Sequence, residues 1–389
     1  MAPRESTAPV IGAAVRRAFG DGPAVSLFCL GTMRALDSPE ALEAVLGAAL
    51  AAGINHIETA PAYGPAERFL GRALARLRRT APATAAGLVL TSKLLPGLEL
   101  RQGQRQLRAC LERLGVARLD NLAIHGLNLP EHLHWVRRGD GAELIRWALG
   151  EGLVGQVGFS SHGSAALISE ALASGLFRFC SLHLHLFDRE RLPLARAALA
   201  AGLGVMAISP ADKGGRLYDP PAELLADCAP YAPLELAYRF LLAEGISTLT
   251  LGAAQPSDLH WAQRLASAAQ PLSREEQAAL ARLAAAADAR LGDTACGQCR
   301  QCLPCPNAVP IPALLRLRNL ALGHGMHAFA GERYNLIGRA GHWWEAVNAS
   351  ACERCGDCLP RCPRQLPIPD LLADTHQRLA AAPKRRLWD

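Results

Sequence analysis

The stretch SPEALEAVLGAALAAGINHIET, residues 38–59, contains a helix that leads directly into a strand. Ser38 suits the N-cap of a helix, and Pro39 suits the first helical position, where its missing N–H costs nothing. Gly53 suits the C-terminus of that helix. The run INHIET then predicts a strand over 54–59. These residues therefore predict one helix–strand unit of an α/β protein.

The same alternation continues on both sides of this unit. Runs typical of strands occupy residues 24–31, 54–59, 88–93, 119–125, 154–160, 177–186, 203–209 and 246–252. Helical stretches lie between them, and many of these end in glycine. Strands that each lead into a helix, eight times over about 250–290 residues, favour a (β/α)8 TIM barrel. A doubly wound sheet is the alternative, and the lack of an early GxGxxG motif argues against it.

The composition of the chain indicates which classes of binding partner are not expected. The chain has 389 residues, 20% of them charged, and a formal net charge of +6. No long block of like charges is present, so we expect no nucleic-acid partner. No uncharged apolar run approaches ~20 residues, so we expect no membrane span. The first residues contain no compact apolar segment that would direct export, so we expect a cytoplasmic protein.

Cysteines are the most unusual feature of the sequence, which contains twelve of them. Four are scattered and are expected to be small buried side chains, namely Cys29, Cys110, Cys180 and Cys228. The other eight form two runs near the C-terminus, Cys296, Cys299, Cys302 and Cys305 in the first and Cys352, Cys355, Cys358 and Cys362 in the second. Eight closely spaced thiols imply a bound inorganic group or disulfides.

Three kinds of site compete for these runs. Disulfides are difficult to form between four thiols in ten residues, and zinc usually joins two CxxC pairs from separate stretches. The second run follows C-x2-C-x2-C-x3-C-P, which is typical of a 4Fe–4S cluster. The first run is one residue shorter in its last gap. We therefore favour iron–sulfur clusters, with two of them expected.

We pair the ligands as in two-cluster ferredoxins, where the fourth cysteine of each run binds the other cluster. Cys362 is accordingly assigned to the first run and Cys305 to the second. Similar phrases, NAVPIPALL and RQLPIPDLL, follow the two runs and predict a helix after each. We divide the chain into an N-terminal extension (1–23), a barrel (24–290) and a small ferredoxin-like iron–sulfur domain (291–389).

The carboxyl ends of the first barrel strands bear a group of polar residues. Glu58 ends one strand and is followed by Tyr63, while Lys93 and His125 end the next two. A lysine ammonium favours the phenolate of a neighbouring tyrosine and so lowers its pKa, and a carboxylate would hold that ammonium in place. A histidine on the other side can orient a carbonyl oxygen. Together these residues predict a proton donor for carbonyl reduction.

The segments that contain these residues, INHIETAPAYGPAERFLGRAL, LTSK and LDNLAIH, resemble the signatures of the aldo/keto reductase family. The resemblance covers about residues 24–270, and the cysteine runs and ISPADKGGRLYDPP are similar to the branch with a ferredoxin-type appendage. It implies that Tyr63 is the general acid, Lys93 its partner and His125 the carbonyl-orienting group. Glu58 stands where the family usually has aspartate.

The resemblance also implies a nicotinamide site, with several departures from the usual residues. Ser160, Ser161, Ser181 and Ile208 occupy the positions of the amide-binding and stacking groups. Ser209, Lys213 and Gly214 are expected to hold the pyrophosphate. Beyond Gly252, Ala254 and Asp258 stand where arginines often bind a 2′-phosphate, so NADH is slightly preferred over NADPH.

These observations support three hypotheses. The first is an NAD(P)H-dependent reductase of an aldehyde, ketone or quinone that carries two 4Fe–4S clusters. In the second, electrons arrive through the clusters from a ferredoxin-like partner, with a flavin as intermediary. In the third, the barrel is a scaffold for an electron-transfer or redox-sensing protein. We favour the first because all four polar residues are present at the strand ends.

Overall fold

The computed structural model describes residues 14–211 and 215–381. By packing, these residues form two units. The first unit comprises residues 14–184, 191–210 and 239–271. The second comprises residues 185–190, Ala211, 215–238 and 272–381.

The first unit is a closed barrel of eight parallel strands that join in the order β10-β3-β4-β5-β6-β7-β8-β9. Their bounds are β3 (Phe28–Gly31), β4 (His56–Glu58), β5 (Val89–Leu94), β6 (Leu119–Ile124), β7 (Val154–Ser161), β8 (Phe179–His183), β9 (Gly204–Ile208) and β10 (Thr248–Gly252). The predicted (β/α)8 barrel is confirmed. Each strand lies inside its predicted run or exceeds it by one residue. The run 177–186 is longer than its strand at both ends.

A short antiparallel hairpin precedes the barrel and was not predicted. It pairs β1 (Arg16–Arg17) with β2 (Val25–Ser26). Arg17 donates to the carbonyl oxygens of Leu242, at 2.8 Å, and Ile246, at 2.6 Å, which ties the hairpin to the barrel. Strands of two residues leave no periodic pattern in a sequence.

Helices alternate with the barrel strands as expected. They are α1 (Pro39–Ala51), α2 (Ala66–Thr80), α3 (Pro82–Ala86), α4 (Leu100–Leu114), α5 (Pro130–Arg138), α6 (Asp140–Gly150), α7 (Ala165–Ala173), α8 (Leu192–Ala200), α10 (Pro233–Ala243) and α11 (His260–Leu265). Helix α1 begins as predicted, because the Ser38 side chain accepts from the Ala41 N–H at 3.1 Å. Gly53 then takes φ +77°, a backbone conformation that glycine adopts without strain.

The core of the first unit lies inside the barrel. One cluster of it consists of seven fully or almost fully buried side chains, namely Phe19, Val25, Cys29, Val89, Ala123, Phe179 and Met206. The scattered cysteines are all buried, as predicted. Because side chains fill the interior of the barrel, functional residues are expected at the rim, where the strands end.

Five α-helices lie entirely within the described residues of the second unit: α9 (Ala222–Cys228), α12 (Arg274–Leu291), α13 (Ile311–His324), α14 (His327–Tyr334) and α15 (Ile368–Leu379). Single turns of 3-10 helix occur at Gly292–Thr294, Gly341–Trp343 and Ala349–Ala351, and another at Pro256–Leu259 in the first unit. Helix α12 packs on α9 and α13, so it groups with this unit although the predicted boundary lies after residue 290.

The two predicted helices after the cysteine runs are present and match each other in detail. Helix α13 begins at Ile311 and α15 at Ile368, and each has proline at its second position. The residues before them, Pro310 and Pro367, have nearly identical backbone angles, with ψ 64° in both. Among the described residues, no helix combines the length and apolarity that a membrane crossing requires.

Candidate active site and cysteine-lined cavities

The predicted proton donor is assembled at the rim of the barrel. Lys93 near the end of β5 donates from Nζ to the Tyr63 hydroxyl oxygen at 2.8 Å. The same ammonium forms an ion pair with Glu58 at the end of β4. Tyr63 in turn lies 3.3 Å from the Glu58 carboxylate. The neighbouring parallel strands β4 and β5 bring Glu58 and Lys93 together because their ends meet at one rim, and Tyr63 lies in the loop that follows β4.

His125 completes the group on the side of β6. Its ring lies perpendicular to that of Tyr63, with centroids 6.0 Å apart. Lys93 and His125 both line a cavity of about 530 Å³. A carbonyl oxygen in this cavity would therefore meet side chains from two neighbouring strands.

Burial dominates the electrostatics of this group. Lys93 and Glu58 are 3% and 4% exposed. Burial lowers the pKa of Lys93 to about 7, which the adjacent Glu58 carboxylate opposes by favouring the ammonium. Burial also raises the pKa of the Tyr63 hydroxyl above its ordinary value. The Lys93 hydrogen bond opposes this rise, so the predicted lowering by lysine is one of two competing effects.

A second network, which the sequence did not reveal, supports the strand that bears Lys93. Glu67 on α2 is 1% exposed and accepts from Ser92 at 2.8 Å. It also contacts the Cys110 thiol at 3.0 Å and accepts from Arg113 Nε at 2.7 Å. Because Ser92 precedes Lys93 on β5, this carboxylate joins two helices to that strand. In the sequence, Glu67 is one charged residue among several in a helical segment, so nothing local marked it as buried.

The serines proposed for the nicotinamide amide are present at the strand ends, but two of them also hold loops. Ser160 accepts from the Gly126 N–H at 3.0 Å. Ser161 donates to the Leu127 carbonyl at 2.6 Å and accepts from the Gly163 N–H at 2.9 Å. Ser181, on β8, is 1% exposed. A hydroxyl can donate one hydrogen bond and also accept hydrogen bonds. The Ser160 hydroxyl accepts one bond and can still donate, whereas the Ser161 hydroxyl already donates and accepts.

Two histidines at the ends of β7 and β8 lie beside these serines, and the sequence analysis did not select them. The Nε2 atoms of His162 and His183 are 3.0 Å apart, and their ring centroids are 4.1 Å apart. His162 directly follows Ser161, and His183 is the last residue of β8. Histidines at the ends of adjacent parallel strands were the signal that could have identified them.

The remaining proposed coenzyme positions lie at or beyond the ends of β9 and β10. Ile208 is half-buried at the end of β9, and Ser209 follows it with φ +52°. Lys213 and Gly214 lie outside the described residues. Gly252 ends β10, where an added Cβ would come within 3.3 Å of the Arg34 side chain.

Asp258 caps its own short 3-10 helix. Its Oδ2 accepts from the Ala254 N–H at 2.8 Å and from the Gln255 N–H at 3.2 Å. These two N–H groups lie directly before the helix, and a carboxylate already occupies both of them. A phosphate placed there would meet a carboxylate.

The eight clustered cysteines line two cavities in the second unit, four in each. One cavity is lined by Cys296, Cys299, Cys302 and Cys362. The other is lined by Cys305, Cys352, Cys355 and Cys358. The last cysteine of each run therefore joins the first three of the other, which is the crossed arrangement expected from the sequence. All of these cysteines are free thiols.

The loops around the two cavities repeat an unusual backbone conformation. Positive φ angles occur at Gln298 (57°), Arg300 (64°) and Ala308 (53°). The second loop has them at the matching Arg354 (59°), Gly356 (84°) and Gln365 (52°). Non-glycine residues adopt this conformation at a cost of order 1–3 kcal/mol each, typically at functional sites. The repetition indicates that both loops are shaped for the same task.

The described residues contain no group of three or more His, Cys, Asp or Glu side chains arranged to hold a single metal ion. A tetrahedral zinc site would require sulfurs about 2.3 Å from one ion. In an iron–sulfur cube each thiolate binds a different iron at a different corner, so the sulfurs do not converge on one point.

Sequence comparisons identify relatives of the barrel. The profile of the Aldo/keto reductase family matches residues 28–285, a match that ends before the first cysteine run. An aldo-keto reductase of Mycolicibacterium vanbaalenii is 30% identical over 217 residues, covering 54% of this chain and 72% of the relative. A 6-dehydroglucose reductase of Novosphingobium aromaticivorans is 31% identical over 230 residues, covering 53% and 71%.

Solved structures agree on the fold. A Bacillus halodurans aldo-keto reductase has a TM-score of 0.58 at 21% identity and covers 69% of this chain and 96% of that protein. A Bombyx mori aldo-keto reductase, solved in complex with NADP, has a TM-score of 0.55 at 22% identity, with coverage of 69% and 92%. At this level of identity the likeness concerns the barrel architecture.

Proposed function

The chain belongs to the aldo/keto reductase family, and on that premise we propose that its barrel reduces a small carbonyl compound with a nicotinamide coenzyme. The observation that carries the proposal is the contact of 2.8 Å between Lys93 Nζ and the Tyr63 hydroxyl oxygen. The coenzyme would supply a hydride. The residues of this chain would bind the carbonyl and donate a proton to its oxygen.

Tyr63 is the proposed proton donor because it is the hydroxyl within reach of the buried ammonium. Lys93 would hold the phenol oxygen and stabilise negative charge as it develops there. Glu58 would keep that ammonium charged and in place. His125, which lines the same cavity as Lys93, would orient the carbonyl oxygen.

The proposed coenzyme site is the rim formed by Ser160, Ser161, Ser181, Ile208 and Ser209. The buried hydroxyls would bind the nicotinamide amide, and Ile208 would offer an apolar face without aromatic stacking. Ser160 retains the freer hydroxyl of the first pair. These residues fit a nicotinamide, with fewer dedicated contacts than the larger polar side chains usual in the family would give.

We assign NADH as the preferred coenzyme because of Asp258. Its carboxylate already accepts from the N–H groups of Ala254 and Gln255, where a 2′-phosphate would otherwise bind. An Asp258→Asn variant keeps a capping side chain but removes the charge. We expect the ratio of kcat/KM for NADPH over NADH to rise about fivefold to tenfold. An unchanged ratio would remove this assignment.

The second part of the proposal concerns residues 291–389, which we assign as a ferredoxin-type domain with two 4Fe–4S clusters. Cys296, Cys299, Cys302 and Cys362 would hold one cluster, and Cys305, Cys352, Cys355 and Cys358 the other. Two observations support it: four cysteines line each cavity, and both loops repeat the same positive φ positions. The clusters would exchange electrons with a ferredoxin-like partner or serve the structure. Reduced thiols and such clusters suit the cytoplasm.

A second candidate function rests on the hydroxyl of Ser161. Its bonds to Leu127 and Gly163 leave it little capacity for a nicotinamide amide. In this alternative, electrons would enter singly through the clusters and reach the substrate by way of a flavin. A flavin absorption spectrum in the purified protein would support it.

The deciding experiment uses protein purified and reconstituted anaerobically. NADH and NADPH are each titrated with a panel of aldehydes, ketones and quinones, and turnover and nucleotide binding are measured separately. We expect turnover of at least one carbonyl class with NADH. The proposal fails if neither nucleotide binds and neither supports turnover.

A further inference from the structure

The cavity lined by Lys93 and His125 has a basic wall. It measures about 530 Å³, a volume typical of sites for small ligands. Besides Lys93 and His125, its polar lining comes from Gln102, Arg105, Gln106 and Arg113. Apolar side chains such as Leu95 line it as well.

The basic wall is one face of helix α4. Residues 102, 106, 109 and 113 follow one another at steps of three or four, and Arg105 lies three residues after Gln102 and four before Ala109. Side chains at that spacing lie along one side of a helix. One helix therefore presents two amides and two guanidinium groups to the cavity. A polar face directed at a pocket is a means of orienting a polar ligand.

The three cations of the lining are not equivalent. Lys93 is paired with the buried Glu58, and Arg113 with the buried Glu67. Arg105 is exposed, and within the described parts of the chain no acidic side chain lies near enough to form an ion pair with it. The lining includes no aspartate or glutamate. Arg105 thus leaves one uncompensated positive charge in the lining that it shares with Lys93 and His125.

We propose that Arg105 is an anion-binding residue and that the substrates of the barrel are carbonyl compounds bearing a carboxylate or a phosphate group. The guanidinium fork matches the geometry of both anions. Gln102, three residues before Arg105, and Gln106, the residue after it, line the same cavity and would donate to the same group. This inference rests on the proposed carbonyl reduction, since it names the substrate class for that site.

The test compares matched substrates. One pair is 4-carboxybenzaldehyde and its neutral amide, 4-carbamoylbenzaldehyde. The other is glyceraldehyde 3-phosphate and glyceraldehyde, so the two pairs distinguish a carboxylate from a phosphate. The quantity measured is the ratio of kcat/KM for the charged member over the neutral member. It is determined for the full-length reconstituted protein at low and high salt.

Arg105→Gln is the test variant, and Arg101→Gln is its control, since Arg101 lies on the same helix but does not line the cavity. We expect the wild-type ratio to exceed one by about tenfold for at least one pair and to fall with salt. Arg105→Gln should abolish most of that preference and its salt dependence, Arg105→Lys should restore part of it, and Arg101→Gln should retain it. A wild-type ratio near one in both pairs overturns the proposal, as does an equal effect of the two glutamine variants.

A binding measurement separates this proposal from the proposed reaction. The alcohol product 4-(hydroxymethyl)benzoate and its neutral amide are titrated calorimetrically without coenzyme. Tighter binding of the benzoate, lost in Arg105→Gln, supports the anion site even if the protein turns over no aldehyde. Turnover of neutral aldehydes with no preference for anions supports the reaction and rejects the anion site.

Discussion

The ammonium of Lys93 lies 2.8 Å from the hydroxyl oxygen of Tyr63, in a position where Lys93 is only 3% exposed. The two residues come from neighbouring parts of the barrel rim, and Glu58 joins them through its carboxylate. An ammonium held this closely in a buried site acts strongly on the proton of the phenol. The geometry therefore makes predictions about both residues.

Replacing Tyr63 with phenylalanine removes the proposed proton donor and little else. We expect kcat for carbonyl reduction to fall by about 10²–10⁴, the usual contribution of general acid catalysis. The thermal unfolding temperature should change little. Tyr231→Phe is the matched control because Tyr231 is half-buried and lies in the second unit. Full activity in Tyr63→Phe would refute the assignment of Tyr63 as the acid.

The pH dependence of the reaction should report Lys93. Burial lowers its pKa to about 7, and only the ammonium form places a positive charge against the phenol oxygen, where negative charge develops. Activity should therefore be complete on the acid side and fall as pH rises through about 7. The measurement is kcat/KM for a neutral aldehyde between pH 5.5 and 9.5, a range of roughly four units around neutrality.

A change at Glu58 should move that descending limb. The carboxylate favours the ammonium, so Glu58→Gln should lower the pKa of Lys93 and shift the limb towards acid pH. Glu112→Gln, an exposed change on α4, should leave the limb in place. A profile that is flat near neutrality, or a limb that moves towards alkaline pH in Glu58→Gln, would contradict the proposed role of the pair.

The crossed cysteine sets predict an asymmetric effect of two single substitutions. In a variant with Cys296, Cys299 and Cys302 changed to serine, only the second cavity keeps all four of its sulfurs. About four irons per chain should remain after reconstitution. Adding Cys305→Ser should then remove them, because Cys305 lines the second cavity.

Adding Cys362→Ser to the same background is the control and should leave the iron content unchanged, because Cys362 lines the first cavity. The opposite result would show that each run binds its own cluster. Iron and sulfide analysis with electron paramagnetic resonance after reduction measures both quantities. In the wild-type protein, fewer than about six irons per chain would reject two cubes.

The charges around the two cavities predict that the proposed clusters differ in reduction potential. Arg300 and Arg364 line the first cavity. Glu353 and Asp357 line the second, together with Arg361. Reduction adds negative charge to a cluster, so it is easier beside cations than beside carboxylates. The first cluster should therefore be reduced at the higher potential.

A potentiometric titration followed by electron paramagnetic resonance tests this order. Arg364→Gln should lower the potential of the first cluster selectively, and Glu353→Gln should raise that of the second. Arg339→Gln is the control, since Arg339 is exposed and does not line either cavity. If the second cluster is reduced first, or both respond equally to Arg364→Gln, the predicted asymmetry is wrong.

The sequence was sufficient for features set by local pattern and by the geometry of barrels. Ser38 and Gly53 define the first helix because capping is local, and the strand ends place Glu58 and Lys93 on one rim because parallel strands end there. Once eight strands are recognised, neighbouring strand ends must be neighbours in space. The apolar run 177–186 was longer than its strand because residues such as Leu184 remain buried after strand pairing ends.

Features that depend on distant partners were not accessible in the same way. The hydroxyl of Ser161 is used by Leu127 and Gly163, and nothing near Ser161 in the sequence shows the contact with Leu127. Glu67 is buried by residues more than twenty positions away. Asp258 was expected to disfavour a 2′-phosphate, and the sequence did not show that its carboxylate also caps the turn in which it lies.

The interleaving of the two cysteine runs also has a consequence for biosynthesis. The first cavity is lined by three cysteines of the first run and by Cys362, and the second by three cysteines of the second run and by Cys305. During translation, neither set of four cysteines is therefore complete until the second run has been made. A proposed cluster could then acquire all of its ligands only after the residues of the barrel have been synthesised.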